Sequence, residues 1–391
     1  MNRTPFTKQA ALRIILLVIG IGILLAVRLP LPANMGAIDF RPYWSSSFLL
    51  AHGQDFSDPS TMNGVERTLT GWSEPFTMYA WFAPTGNLVL LPYTFFPFTR
   101  ATYYWLLTNI TIVFFSALLI WGNTTLRTWI PLVAAFGFST TLVSFISGQV
   151  NTLVVLGLAL LLFFCELRRD FAAGASLALA TTKAHLVILT LPLLLLDIMR
   201  RKQWRAFAGF VTVLSGCALI LFVLYPAWPI SFWRLVNLGM MGTAREAPTV
   251  SGLFVVAGER IWGKWIWVPG LFFAILVWWK RGKGWDLRTL IDVSILGGML
   301  ISPIGWSYDQ VMLLFPILHV LKWAADGSLA RRDAIAVALL LIVVDAITFY
   351  QCILTPSEVW FFWVPLVVAA VYVFARQRSQ ARLLDVATKA V

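Results

Sequence analysis

The chain has 391 residues, 59% of them hydrophobic and only 12% charged, against roughly 25% charged in an average soluble domain. That shortage of charge, with 19 Trp and 29 Phe, excludes an ordinary soluble globule and points to a lipid-facing protein with aromatic-rich interfaces. The net charge of +12 does not indicate nucleic acid. The basic residues sit in short runs between apolar segments, where they set topology and meet anionic headgroups.

In chain order, Arg3, Lys8 and Arg13 precede an apolar run over 14–31, read as an uncleaved first span because so many spans follow it. Further spans are expected near 101–121, 129–146, 150–166, 206–224, 264–279, 288–303, 308–323, 334–350 and 359–375, each close to the length a membrane helix needs. The apolar stretch 171–199 is interrupted at Thr181-Thr182-Lys183 and is expected to form two shorter membrane segments meeting at a break. The total is about twelve crossings, an all-α polytopic bundle forming one integral membrane domain with no separate soluble domain. Residues 84–98 are apolar but short and carry Pro84, Pro92 and Pro97. They are expected to re-enter or lie at the interface, because counting them as a span would put the later basic loops outside.

With both termini cytoplasmic, the cytoplasmic connections hold 21 of the 30 Lys and Arg residues, the bias that sets topology in a plasma membrane. The long connections 32–100 and 225–263 then lie outside, mixing Trp and Phe with polar residues as interfacial helices do. Sizeable chemistry has room only on that non-cytoplasmic face. Cys165, Cys217 and Cys352 form no redox or metal spacing, and His52, His185 and His319 are far apart. No disulfide framework and no structural zinc are expected, and no P-loop supports nucleotide chemistry.

Ionisable and amide residues at the outer ends of the spans are the candidate site. Asp39, followed by Pro42, Tyr43 and Trp44, suits either a helix N-cap or an interfacial acid. Gln149 and Asn151 lie in a tight outer turn, where they can bind a polar ligand or cap a helix. Lys183, next to His185, lies at membrane depth, where a cation either snorkels or faces a cavity; a site role, with phosphate as partner, is favoured. Trp306, Tyr308 and Asp309 follow Ser302-Pro303 at another outer turn. Arg28, near the outer end of the first span, and Arg245, in the second outer loop, offer a guanidinium fork to phosphate. Asp345, in the outer half of a span, is expected to face the interior with a hydrogen-bond partner. Charge-derived topology puts five of these segments on one face, as a single pocket requires.

Taken together, D-F-R-P-Y-W at 39–44, A-P-T-G-N-L-V-L-L-P at 83–92, S-G-Q-V-N at 147–151, T-T-K-A-H at 181–185 and S-P-I-G-W-S-Y-D-Q at 302–310 resemble glycosyltransferase family 87 of the GT-C superfamily. The order and spacing agree over nearly the whole chain. The resemblance implies an inverting enzyme that moves a sugar, often mannose, from a polyprenyl-phosphate donor to an acceptor hydroxyl on the outer face. It maps the catalytic carboxylate to Asp39 and the lysine after the broken helix to Lys183. Two positions depart: Ala184 follows the lysine where members commonly have proline, and Tyr308-Asp309 stand where many carry histidine. The expected partners are the lipid-linked donor, the bilayer and a glycan or glycolipid acceptor, with no cofactor or metal. Lys183, Gln149, Asn151, Trp306, Tyr308, Asp309, Tyr43, Arg245 and Arg28 are the expected substrate-binding set. A transporter or flippase of a lipid-linked sugar is the alternative, since broken helices with charge at depth also mark transporters.

Overall fold

The computed structural model describes residues 36–122, 127–242, 246–355 and 357–389, and among these there is no strand. The expected first span over 14–31, with Arg28, lies outside the described residues, as does Arg245.

Five helices are long and apolar enough to cross a membrane: Phe98–Trp121, Trp204–Leu224, Trp262–Arg281, Arg331–Leu354 and Glu358–Arg382. The pair Trp129–Gly137 and Ser139–Ser147, bent by 61°, makes a sixth if it is one span. Other expected spans are helices that fall short of crossing alone. Asn151–Glu166 has 16 residues and Leu287–Ile301 has 15, which at 1.5 Å per residue is shorter than the hydrocarbon core of about 30 Å. The expected count of about twelve crossings is therefore not established by the described helices. Two further segments carry 3₁₀ geometry, over Thr181–Val187 and Ser307–Leu313.

The breaks have physical causes. Lys183 leaves the helical region at φ −121°, ψ 78°, which separates Asp170–Ala180 from Thr190–Arg200 as the polar interruption implied. Residues 84–95 form a short helix, Pro84–Leu90, and a 3₁₀ turn, Leu91–Phe95, too short to cross. The Ala83 N–H donates to the Thr182 carbonyl (2.9 Å), so this hairpin rests against the lysine break. At the bend after Gly137, Asp345 accepts from both the Ser139 N–H and hydroxyl (2.8 Å each). It thereby caps the second half of the bent pair, the interior partner expected for it.

The main core runs through Val113, Leu158, Leu177, Ile291, Leu313, Phe315 and Val364. Close helix approach is made by glycine. A Cβ on Gly174 would lie 1.7 Å from the Ala206 carbonyl, and one on Gly209 would lie 2.1 Å from that of Phe171, the small-residue packing membrane helices use. A second, aromatic core packs residues of the segment 37–98 against Trp105, Ile112 and Leu153. There Phe40 stacks on Trp105 (5.7 Å, 10°) and on Phe98 (6.1 Å, 16°), fixing the helix Phe40–Ala51 and with it the position of Asp39.

Candidate active site

Asp39 stands at the N-cap position of Phe40–Ala51, yet its backbone is helical (φ −85°, ψ −17°) and its side chain makes no cap bond. The capping reading therefore does not describe it. Its own N–H donates to the Ser147 carbonyl (2.8 Å), and the Gly36 N–H donates to the Ile146 carbonyl (2.6 Å). These bonds fasten the start of the helix to the end of Ser139–Ser147. Gly148, at φ +73°, makes that contact possible: a Cβ there would lie 2.1 Å from the Gly36 oxygen and 2.9 Å from Phe40 Cβ.

The carboxylate, only half-buried, accepts at Oδ2 from Gln149 Nε2 (2.7 Å). Gln149 Oε1 in turn accepts from Lys183 Nζ (2.7 Å) and from the Tyr43 hydroxyl (3.0 Å). Lys183 Nζ also pairs with Asp309 Oδ1 (2.9 Å). Asp309 Oδ2 meets His185 Nε2 (3.3 Å) and accepts from the Trp306 N–H (3.2 Å). One connected network thus joins Asp39, Gln149, Lys183, Asp309 and His185.

Two further groups hold its edges. Asn151 Nδ2 donates to the Tyr308 carbonyl (2.8 Å) and to Ser144 Oγ (3.1 Å). Asn109 Nδ2 donates to the Gln149 carbonyl (3.1 Å). Trp306 and Tyr308 stack (5.8 Å, 13°) with the Lys183 ammonium 5.8 Å and 5.0 Å from their ring centroids. Both rings stay partly exposed.

The five distant motif segments therefore meet. Gln149 and Asn151 are fully buried, Lys183 is 1% exposed and Asp309 2%, and Lys183 is bonded to both Gln149 and Asp309. Asp39, Trp306, Tyr308 and His185 keep accessible surface. Sequence reasoning did not single out Glu358, which accepts at Oε2 from the Ser307 N–H (2.6 Å) and at Oε1 from the Ser307 hydroxyl (3.3 Å). It opens a short 3₁₀ turn, Glu358–Phe361, that reads as the start of the last span. A cleft of about 490 Å³ lined by Arg200, Arg201, Gly284, Trp285 and Asp286 lies at the far end of Thr190–Arg200 from this network and holds none of its residues. Among the described residues no group of three or more His, Cys, Asp or Glu is placed to hold a metal ion.

Burial raises the carboxyl pKa of Asp39 above its ordinary value. The Gln149 bond and the Lys183 charge oppose this, and the Asp309 charge adds to it. A carboxylate so held can accept a proton while the groups behind it keep it in place.

Fold and site together define an all-α membrane protein that presents one oriented, half-exposed carboxylate beside an aromatic pair. The model of glycosyltransferase family 87 matches residues 81–303, more than half of the chain, and the protein belongs to that family. The matched stretch contains Gln149, Asn151, Lys183 and His185; Asp39 and Tyr43 precede it, and Trp306, Tyr308 and Asp309 follow it. No curated protein and no solved structure matches the chain. Membership makes it a glycosyltransferase and sets the transporter reading aside.

Proposed function

We propose that this glycosyltransferase moves a hexosyl group, with mannosyl as the first candidate, from a polyprenyl-phosphate donor to an acceptor hydroxyl at the non-cytoplasmic face of the plasma membrane, inverting the anomeric carbon. The observation that carries this reading is the Asp39 carboxylate, which caps no helix and is aimed by a buried donor. As the acceptor oxygen attacks the anomeric carbon, Asp39 takes its proton. The bond from that carbon to the phosphate oxygen breaks, and the electron pair leaves with the phosphate. General-base assistance of this kind contributes about 10²–10⁴-fold.

Trp306 and Tyr308 offer ring faces to the sugar. Gln149, Lys183, Asp309, Asn151 and Tyr43 act behind them. The Lys183 ammonium is committed to Gln149 and Asp309, so it serves to orient Asp39 rather than to bind phosphate directly. Arg28 and Arg245, by their sequence positions at the outer end of the first span and in the second outer loop, are assigned to the donor phosphate.

The test is transfer of labelled sugar from polyprenyl-phosphate donors by the purified protein in lipid. Asp39→Asn abolishes transfer while folding and donor binding persist, and the product shows the opposite anomeric configuration to the donor. Near-wild-type turnover by Asp39→Asn overturns the base assignment, and label crossing the bilayer without transfer overturns the reaction.

A further inference from the structure

We propose that Glu358 is a positioning residue for this site, clamping the turn that carries Trp306, Tyr308 and Asp309. The inference rests on the glycosyl-transfer reading above, and it falls outside the stretch that matches the family.

Both carboxylate oxygens of Glu358 are used on one residue. Oε2 accepts from the Ser307 N–H (2.6 Å) and Oε1 from the Ser307 hydroxyl (3.3 Å). Ser307 opens the 3₁₀ helix Ser307–Leu313, whose first N–H groups have no partner within the helix. A carboxylate there satisfies an orphan donor. The grip is two-sided, since Gln310 Nε2 donates back to the Phe361 carbonyl (2.9 Å). The loop that supplies both contacts is itself fixed. Gln351 Nε2 donates to the Trp360 carbonyl (2.7 Å), Trp363 Nε1 donates to Gln351 Oε1 (3.0 Å), and the Ser357 hydroxyl bonds to Glu246. Phe361 and Val359 are buried at 2% and 5% exposure.

What the clamp holds is the accessible part of the site. Ser307 lies between the two stacked rings in sequence, and Asp309 follows two residues later with its bonds to Lys183 and His185. Releasing Ser307 frees the Trp306–Tyr308 platform first. Lys183 keeps its bonds to Asp309 and Gln149, and the Tyr308 carbonyl keeps its bond from Asn151. The expected defect is therefore in sugar binding rather than in folding.

The experiment combines hydrogen exchange over residues 303–313 with steady-state kinetics, in lipid, using a labelled polyprenyl-phosphate sugar as probe. Loss of a hydrogen bond to a charged acceptor predicts exchange faster by about 10-fold or more in Glu358→Leu, with KM raised by about 10-fold at little change in melting temperature. Glu358→Gln, which keeps an acceptor for the Ser307 N–H, stays within about twofold of wild type on both readouts. Glu358→Asp, one methylene shorter, carries the same test with a smaller effect if the leucine variant does not fold. Unchanged exchange in Glu358→Leu overturns the clamp. Faster exchange with unchanged KM and only a smaller folded fraction overturns the positioning role. Equal defects in the glutamine and leucine variants overturn it too, because the charge rather than the bonds would then matter. An inactive wild type refutes the transfer reading instead, and the exchange data still decide the clamp.

Discussion

Replacing Lys183 by Met exposes how the buried network is balanced. The ammonium lies 2.9 Å from Asp309, with each side chain 2% exposed. At an effective dielectric of 20 that separation corresponds to an attraction of about 6 kcal/mol, most of which is offset by the cost of taking both charges out of water. Methionine fills a similar volume and removes one charge only. Asp309 then stays ionised in an apolar setting, and breaking a buried pair from one side costs about 3–5 kcal/mol. The lower end applies here, because Asp309 keeps the Trp306 N–H and His185, and Gln149 Oε1 keeps Tyr43.

Adding Asp309→Asn removes the orphaned charge while leaving an acceptor for the Trp306 N–H. The double variant should therefore recover about 2 kcal/mol relative to Lys183→Met alone. Reversible unfolding in lipid nanodiscs, run as a double-mutant cycle, measures both values. Turnover stays low in the double variant even as stability returns, since Gln149 has lost the charged one of its two orienting donors. Additive single effects each below about 1 kcal/mol would refute the reasoning, as would a double variant less stable than Lys183→Met.

Other perturbations follow from the same geometry. Gln149→Leu removes a bond that lowers the Asp39 pKa while burial still raises it, so the acid limb of the kcat/KM profile moves to higher pH; a limb that stays put or moves down contradicts this. Glu66 is fully buried with Oε1 unpartnered among the described residues, and burial pushes its pKa from 4.5 up to about 7. Its folded form holds the proton more tightly than the unfolded chain, so stability present below pH 4.5 falls as pH rises towards about 7, by about 2–3 kcal/mol. Melting curves of Glu66→Gln should be flat across that window relative to wild type. Gly148→Ala places a non-glycine residue at φ +73° and a methyl 2.1 Å from the Gly36 oxygen; it should cost more than about 2 kcal/mol and lower turnover, read by thermal melting and sugar transfer.

The convergence was legible because charge in apolar segments is costly and has to find partners. Lys183, Asp309 and Asp39 each stood out against apolar or aromatic neighbours, and the topology drawn from basic loops put them on one face. What each group does was not legible. Gln149 reads as an amide in a turn, and only the fold shows that its partners are Asp39, 110 residues away, and Lys183, 34 residues away. Asp39 before Phe40-Arg41-Pro42 carries the composition of an N-cap, but Gln149 takes the carboxylate that a cap would have used. Arg41, from the same motif, points elsewhere. Its Nε donates to Thr70 (2.8 Å), and its guanidinium lies 4.6 Å from the Trp72 ring centroid. The expected span 308–323 was misjudged at its start, where the 3₁₀ turn Ser307–Leu313 stands in place of the first helical turns, because hydropathy registers apolar content and not backbone geometry.

The network makes more sense as an orienting device than as a source of stability. A buried ion pair is weak evidence for stability, since apolar residues of similar volume usually do as well. An amide has one accepting and one donating end. Lys183 can only donate, and the Tyr43 hydroxyl also donates to Gln149, so the oxygen of Gln149 must face them and its NH₂ must face Asp39. Turning the amide over would set oxygen against carboxylate and NH₂ against ammonium, two repulsive contacts in place of attractive ones. The Lys183 charge, held by Asp309, therefore fixes which way Gln149 points, and Gln149 fixes which oxygen of Asp39 is bonded. The other carboxylate oxygen accepts no protein hydrogen bond among the described residues, so in the proposed reaction it is the one left to meet a substrate proton.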